Sequence, residues 1–138
     1  MKVKVLLLCS VSVLFFAGCA ATRYGPASGS AFGYRESKIQ RDMYNVSFKG
    51  NGFTSPTTAM NYFLYRCAEI TVRDGYDYFI IAEGESNPEL VLAGRSTLTK
   101  PQYTGTIKLY KGEKPADDPN AYDAKELMEN LEPQIIRQ

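Results

Sequence analysis

Between Ser55 and Gly75, Met60, Phe63, Leu64, Cys67, Ala68 and Thr71 fall at i, i+3, i+4, i+7, i+8 and i+11. That spacing is the period of one helix face, and it predicts an amphipathic helix with an unbroken stripe turned to a core. Both ends are marked. Ser55 is a capping type, and Pro56 suits a first turn, where no amide hydrogen is required. Gly75 takes the left-handed conformation that closes a helix.

The flanking segments read as strands. Met43 to Lys49 alternates, with Tyr44, Val46 and Phe48 on one side, and Gly50-Asn51-Gly52 ends it as a tight turn. Asp77 to Ala82 is apolar on both faces, which suits a central strand. Strand, helix and strand make a βαβ unit, so these two strands are expected to be parallel with a right-handed crossover. Glu83 to Tyr103 reads as polar and irregular, with Leu90-Val91-Leu92 as a short edge strand. Thr104 to Lys111 alternates again and is expected antiparallel to the second strand. Asp123-Ala124-Lys125-Glu126 is a capping box for a last helix with Leu127, Met128, Leu131 and Ile135 on its apolar face and Pro133 at its end. The expected fold is α+β: one small domain over residues 38–138, in β-α-β-β-α order, with a mixed sheet and two helices on one face.

The chain of 138 residues is one domain long, and 44% apolar against 22% charged residues is a globular balance. A net charge of +1 offers no basic footprint for nucleic acid. There is no His, which removes Ser-His and Cys-His nucleophile pairs, imidazole acid–base catalysis and imidazole metal ligation. No catalytic residue, metal ligand or cofactor is expected.

The N-terminus says where the chain goes. A basic start, Met1-Lys2-Val3-Lys4, precedes an apolar run from Val5 to Phe16 and then Ala17-Gly18-Cys19. This is export-signal anatomy, and twelve residues of helix reach only about 18 Å, short of a hydrocarbon core of about 30 Å. Phe16-Ala17-Gly18-Cys19 resembles a bacterial lipobox, with Phe16 where Leu is usual. The small pair lets a peptidase close on the backbone, and the Cys19 thiol is nucleophilic enough to take a diacylglycerol as a thioether. The domains expected are then a signal peptide over 1–18, the lipidated Cys19 with a flexible tether to 37, and the folded part. The rival is ordinary cleavage near Ala21, leaving a soluble periplasmic protein. Removing residues 1–18 takes Lys2 and Lys4 from 16 basic groups and none of the 15 acidic ones, so the mature chain is close to neutral. Residues 20–37 are rich in Gly, Ala and Ser, and a free tether of that length reaches roughly 20–25 Å. Tyr24, Phe32 and Tyr34 are the groups in it that can dock on the domain instead.

Val46-Ser47-Phe48-Lys49-Gly50-Asn51, Leu64-Tyr65-Arg66-Cys67-Ala68-Glu69 and Gly75-Tyr76-Asp77-Tyr78-Phe79 resemble a family of small, poorly characterised proteobacterial lipoproteins. Thr106-Ile107-Lys108, Lys114-Pro115-Ala116 and Asn120-Ala121-Tyr122-Asp123-Ala124 extend the resemblance, which covers about residues 34–136. It implies a cell-envelope lipoprotein, in the outer membrane because no Asp follows Cys19, and it implies no known activity. The Glu85–Tyr103 stretch is shorter here than the Gly/Ser/Thr-rich one of that family.

Several motifs have a bland and a sharp reading. Cys67, alone once Cys9 has left with the signal and Cys19 is acylated, is a packed core thiol or a redox or metal thiol. Asp117-Asp118-Pro119-Asn120 with Asp123 is a turn and helix cap or a calcium loop, and the loop lacks alternating ligands and a Gly. Glu83, Glu85 and Glu89 have no spacing that fixes a hydrolytic pair. Tyr62, Arg66, Glu69 and Arg73 line up at i, i+4, i+7 and i+11, away from the core stripe. They form either a solvated face with an Arg66–Glu69 pair or a partner surface, since Tyr and Arg anchor interfaces. The functional expectation is a non-enzymatic, lipid-anchored envelope protein that binds a protein partner, as an accessory or sensing component. The alternative is a periplasmic small-ligand or glycan-binding module.

Overall fold

In the computed structural model, which describes residues 20–29, 32–86, 89–93 and 96–138, the Met60–Thr71 stripe is helical. Helix α1 is Pro56–Arg73, and the Ser55 hydroxyl accepts the Thr58 amide at 3.0 Å. Gly75, at φ +80°, closes it: its N–H reaches the Val72 carbonyl and that of Tyr76 the Thr71 carbonyl, at 3.0 and 2.9 Å.

The strands in chain order are β1 (Gly33–Gln40), β2 (Met43–Lys49), β3 (Tyr78–Ser86), β4 (Glu89–Ala93), β5 (Ser96–Lys100), β6 (Gln102–Tyr110) and β7 (Ala121–Asp123). Helix α2, Ala124–Leu131, follows β7 directly, capped by Asp123, whose carboxylate accepts the Glu126 amide at 2.9 Å; a short 3-10 turn, Glu132–Gln134, ends it. The fold is α+β: a five-stranded sheet in the order β1-β2-β6-β3-β7, with α1 against it and α2 beside α1. Tyr44, Val46 and Phe48 of β2, Phe79 of β3 and Ile107 and Leu109 of β6 meet Phe63, Cys67, Ala68 and Ile70 of α1 in one core. Full burial of a side chain of this size contributes about 1.5–3 kcal/mol, so this layer dominates stability.

Three expectations need correction. The sheet is antiparallel at every pairing rather than mixed. Strands β2 and β3 do run the same way, but β6 lies between them and pairs with both, Tyr44 with Ile107 and Phe79 with Leu109. After the β4–β5 hairpin the chain returns antiparallel along β3, and this returning strand fills the place between β2 and β3. That hairpin is the second correction: Leu90, Val91 and Leu92 pair with Thr99, Leu98 and Thr97 in a separate two-stranded sheet.

The third concerns residues 20–37, read as a tether with docking aromatics as the other possibility. Residues 33–37 belong to β1, an edge strand along β2, so the domain does not begin at 38. Before it, the Ala27 amide donates to the Tyr34 carbonyl at 2.8 Å, the Tyr34 amide to the Gly25 carbonyl at 2.9 Å, and the Tyr24 amide to the Ile136 carbonyl at 2.7 Å. Tyr24 is buried, its ring 5.1, 5.5 and 5.3 Å from those of Tyr34, Tyr62 and Tyr65. One buried tyrosine outweighs the Gly/Ala/Ser composition around it. The signal peptide 1–18 and Cys19 lie outside the described residues. Among those described, no helix is long and apolar enough to cross a membrane.

Candidate functional site

Of the face expected to meet a partner, Tyr62 is turned inward, Arg66 and Glu69 are half-buried, and Arg73 is exposed. Tyr62 is only 2% exposed, packed edge-on against Phe48, and its hydroxyl accepts the Ile136 amide at 3.2 Å. That is a correction with a clear cause: the face is covered by β1 and by the segment around Tyr24, neither of which carries an apolar alternation that would announce it. Met60, expected in the stripe, is instead 37% exposed.

The remaining three residues form one polar network. Arg66 donates from Nε to Glu36 at 2.7 Å and from Nη1 to Glu69 at 2.9 Å, while its guanidinium lies 4.1 Å from the Tyr34 ring centre. Glu69 also accepts from the Tyr24 hydroxyl. Arg73 reaches Glu36 at 2.6 Å and Asp74 at 2.9 Å, and Asp74 accepts from the Tyr44 hydroxyl and faces Lys38. Burial pushes the Glu36 carboxyl up, but hydrogen bonds and charge from Arg73 and Arg66 prevail and hold it below the usual carboxylate range. Burial raises the Tyr24 phenol, and its bond to Glu69 raises it further. Each group is paired with another of the same chain, so the network fastens Tyr24, β1 and β2 to α1. Tyr24 and Tyr34 are two of the aromatics expected to be able to dock; Glu36 escaped the sequence reading, its only signal being the period-two order of Tyr34, Glu36 and Lys38.

Cys67 is fully buried, and desolvation raises its thiol, so it packs as a small hydrophobe. Asp118 accepts the Asn120 amide at 2.8 Å in a turn, and Asp123 caps α2. Among the described residues no cluster of His, Cys, Asp and Glu is placed to hold a metal ion. A hollow of about 320 Å³ lies beside Met60, Phe63, Leu64, Ile81, Tyr103 and Tyr122. Apart from Thr104 and two tyrosine hydroxyls, its walls are apolar.

The other notable constellation lies where the described chain begins. Asn51 Nδ2 donates to the Ala20 carbonyl at 2.8 Å, and the Asn51 amide donates to Thr22 Oγ1 at 2.9 Å. The Thr22 amide in turn donates to Thr54 Oγ1 at 2.9 Å. The Gly50–Thr54 turn is thus a receptor for the residues that follow Cys19. Asn51 holds its own loop as well, its Oδ1 accepting from the Phe53 amide at 3.0 Å. Comparison with protein-family models, curated proteins and solved structures found no match.

Proposed function

We propose that this chain is a lipoprotein of the cell envelope, processed and acylated at Cys19 and held in the outer membrane, whose domain binds a protein partner without catalysing a reaction. The observation that carries the choice of Cys19 is the bond from Asn51 to the Ala20 carbonyl. Cleavage beyond Ala20 would strip that acceptor, whereas cleavage before Cys19 keeps it. The lipobox and the resemblance to small proteobacterial lipoproteins argue the same way. A thioether diacylglycerol with an acylated amine gives three chains, where one would hold only marginally. Support for a non-catalytic role comes from the Arg66–Glu36–Arg73 network, whose charged groups are spent on one another. The ligand-binding alternative rests on the hollow beside Met60. Sugar recognition needs several placed polar groups, and these walls offer few, so the partner reading is preferred.

Labelling cells with an alkyne analogue of palmitate tests the anchor. The wild-type chain should carry the label in the outer-membrane fraction and Cys19→Ser should lose it. A Cys19→Ser chain labelled as strongly as wild type would refute acylation at this residue. Crosslinking in cells followed by mass spectrometry would identify the partner.

A further inference from the structure

The chain next to the anchor is fastened to the domain, and that fixes which end of the domain faces lipid. Ala20 is held by Asn51, Thr22 by Asn51 and Thr54, and Tyr24 by the Ile136 carbonyl. The Cα of Cys19 lies about 3.8 Å from that of Ala20. A bilayer's polar layer is about 5–7 Å deep on each side. With acyl chains on Cys19, Ala20 therefore has to sit at the headgroups, and the surface around it comes too. A free tether of roughly 20–25 Å reach would impose nothing of the kind.

The side chains at this end suit that position. Phe53 and Ile136 are 53% and 61% exposed, the one two residues from Asn51, the other beside Tyr24. Ala20–Arg23 runs as a ridge between two shallow hollows, one reaching Phe32 and Gln138, the other Thr58 and Ile136. Arg23 is exposed, and Lys100 lies 5.7 Å from the centre of the Phe32 ring. Single exposed apolar side chains are ordinary on a protein surface. Apolar tips with cations beside them are what an interface with phospholipid favours, the tips entering the headgroup boundary and the cations facing phosphates.

We propose that the end of the domain carrying Ala20, Phe53 and Ile136 rests on the phospholipid surface that holds Cys19, so that the domain is presented in one orientation. This deepens the reading above and rests on acylation of Cys19. The opposite end, around the β1–β2 turn, then faces away from lipid and is free for a partner.

The test uses the full acylated chain in vesicles of phosphatidylethanolamine and phosphatidylglycerol, with acylation first established by intact mass. Spin labels are placed at Phe53→Cys, at Ile136→Cys and, as the aqueous reference, at Ile39→Cys. Buried Cys67 stays unlabelled. Collision with a water-soluble nickel chelate should be several-fold weaker at 53 and 136 than at 39. Inserting about ten Gly/Ser residues between Cys19 and Ala20 should restore it. Equal collision at all three positions of a chain proven to be acylated would overturn the orientation and leave the anchor standing. A mature mass without acyl chains would overturn the anchor and this inference with it. Protection at 53 and 136 in the Cys19→Ser chain without vesicles would assign the face to a second copy and overturn the proposal.

Discussion

Arg66 places its guanidinium on the Tyr34 ring while Glu36 and Glu69 take its N–H groups, and only 16% of its side chain is exposed. A charge this sheltered stabilises only while its partners remain, because hydrogen bonds to an ionised group contribute about 1.5–3 kcal/mol and an unpaired one costs at least as much. Glu36→Ala removes a carboxylate shared by Arg66 and Arg73. It should lower stability by about 2 kcal/mol in a denaturant titration. Glu36 and Asp74 both titrate lower in the fold than in the unfolded chain, after the opposing effect of burial is overcome by their partners. Their contribution is therefore fully present above the ordinary carboxylate pKa and is lost as pH falls through the folded value. The melting temperature should hold level down to about pH 5 and fall below about pH 4, and Glu36→Gln should make that fall shallower. The register of Tyr62, Arg66, Glu69 and Arg73 on one helix side was legible from their spacing. What covers that side was not, because the covering strand turns Tyr34 and Glu36 toward α1 while Lys38 stays exposed beside Asp74, and a charge facing a helix is indistinguishable in the sequence from one facing water.

Elements announced by local chemistry are found where the sequence puts them. Ser55, Gly75 and Asp123 each bond a neighbour three residues away and Pro56 needs no amide partner in the first turn, so the ends of α1 and the start of α2 can be read directly. Strand pairing is a distant relation. Nothing near β2 or β3 says that β6 will lie between them, and a βαβ spacing is equally compatible with direct contact. The β1 edge depends on such a distant relation too. Gly33 has φ +120°, and a Cβ there would stand 2.6 Å from the Gly25 carbonyl oxygen and 2.9 Å from the Ala27 nitrogen. The glycine therefore lets the chain before β1 fold back along it. Gly33→Ala should cost about 1–3 kcal/mol through backbone strain and contact, and should loosen the Tyr24 segment before it unfolds the sheet. Differential scanning calorimetry would give the first effect and tyrosine fluorescence the second.

At the scale of the whole molecule, residues 20–29 and 32–37 are built into the domain, where a free tether would space it from the membrane. Tyr24 joins the core, Asn51 holds Ala20, and the last residues bind back, Gln138 donating to the Tyr24 carbonyl at 3.1 Å. The beginning and end of the described chain thereby close on each other at the end that the proposed anchor occupies. Composition hid this, since a few aromatic side chains determine the fate of a stretch that is otherwise small and polar. Amide hydrogen exchange on the acylated chain in micelles reads this directly. The amides of Tyr24, Ala27 and Tyr34, which donate to Ile136, Tyr34 and Gly25 at 2.7, 2.8 and 2.9 Å, should exchange as slowly as those of β2. Exchange at unstructured-peptide rates for Tyr24 and Ala27, with β2 still protected, would contradict it.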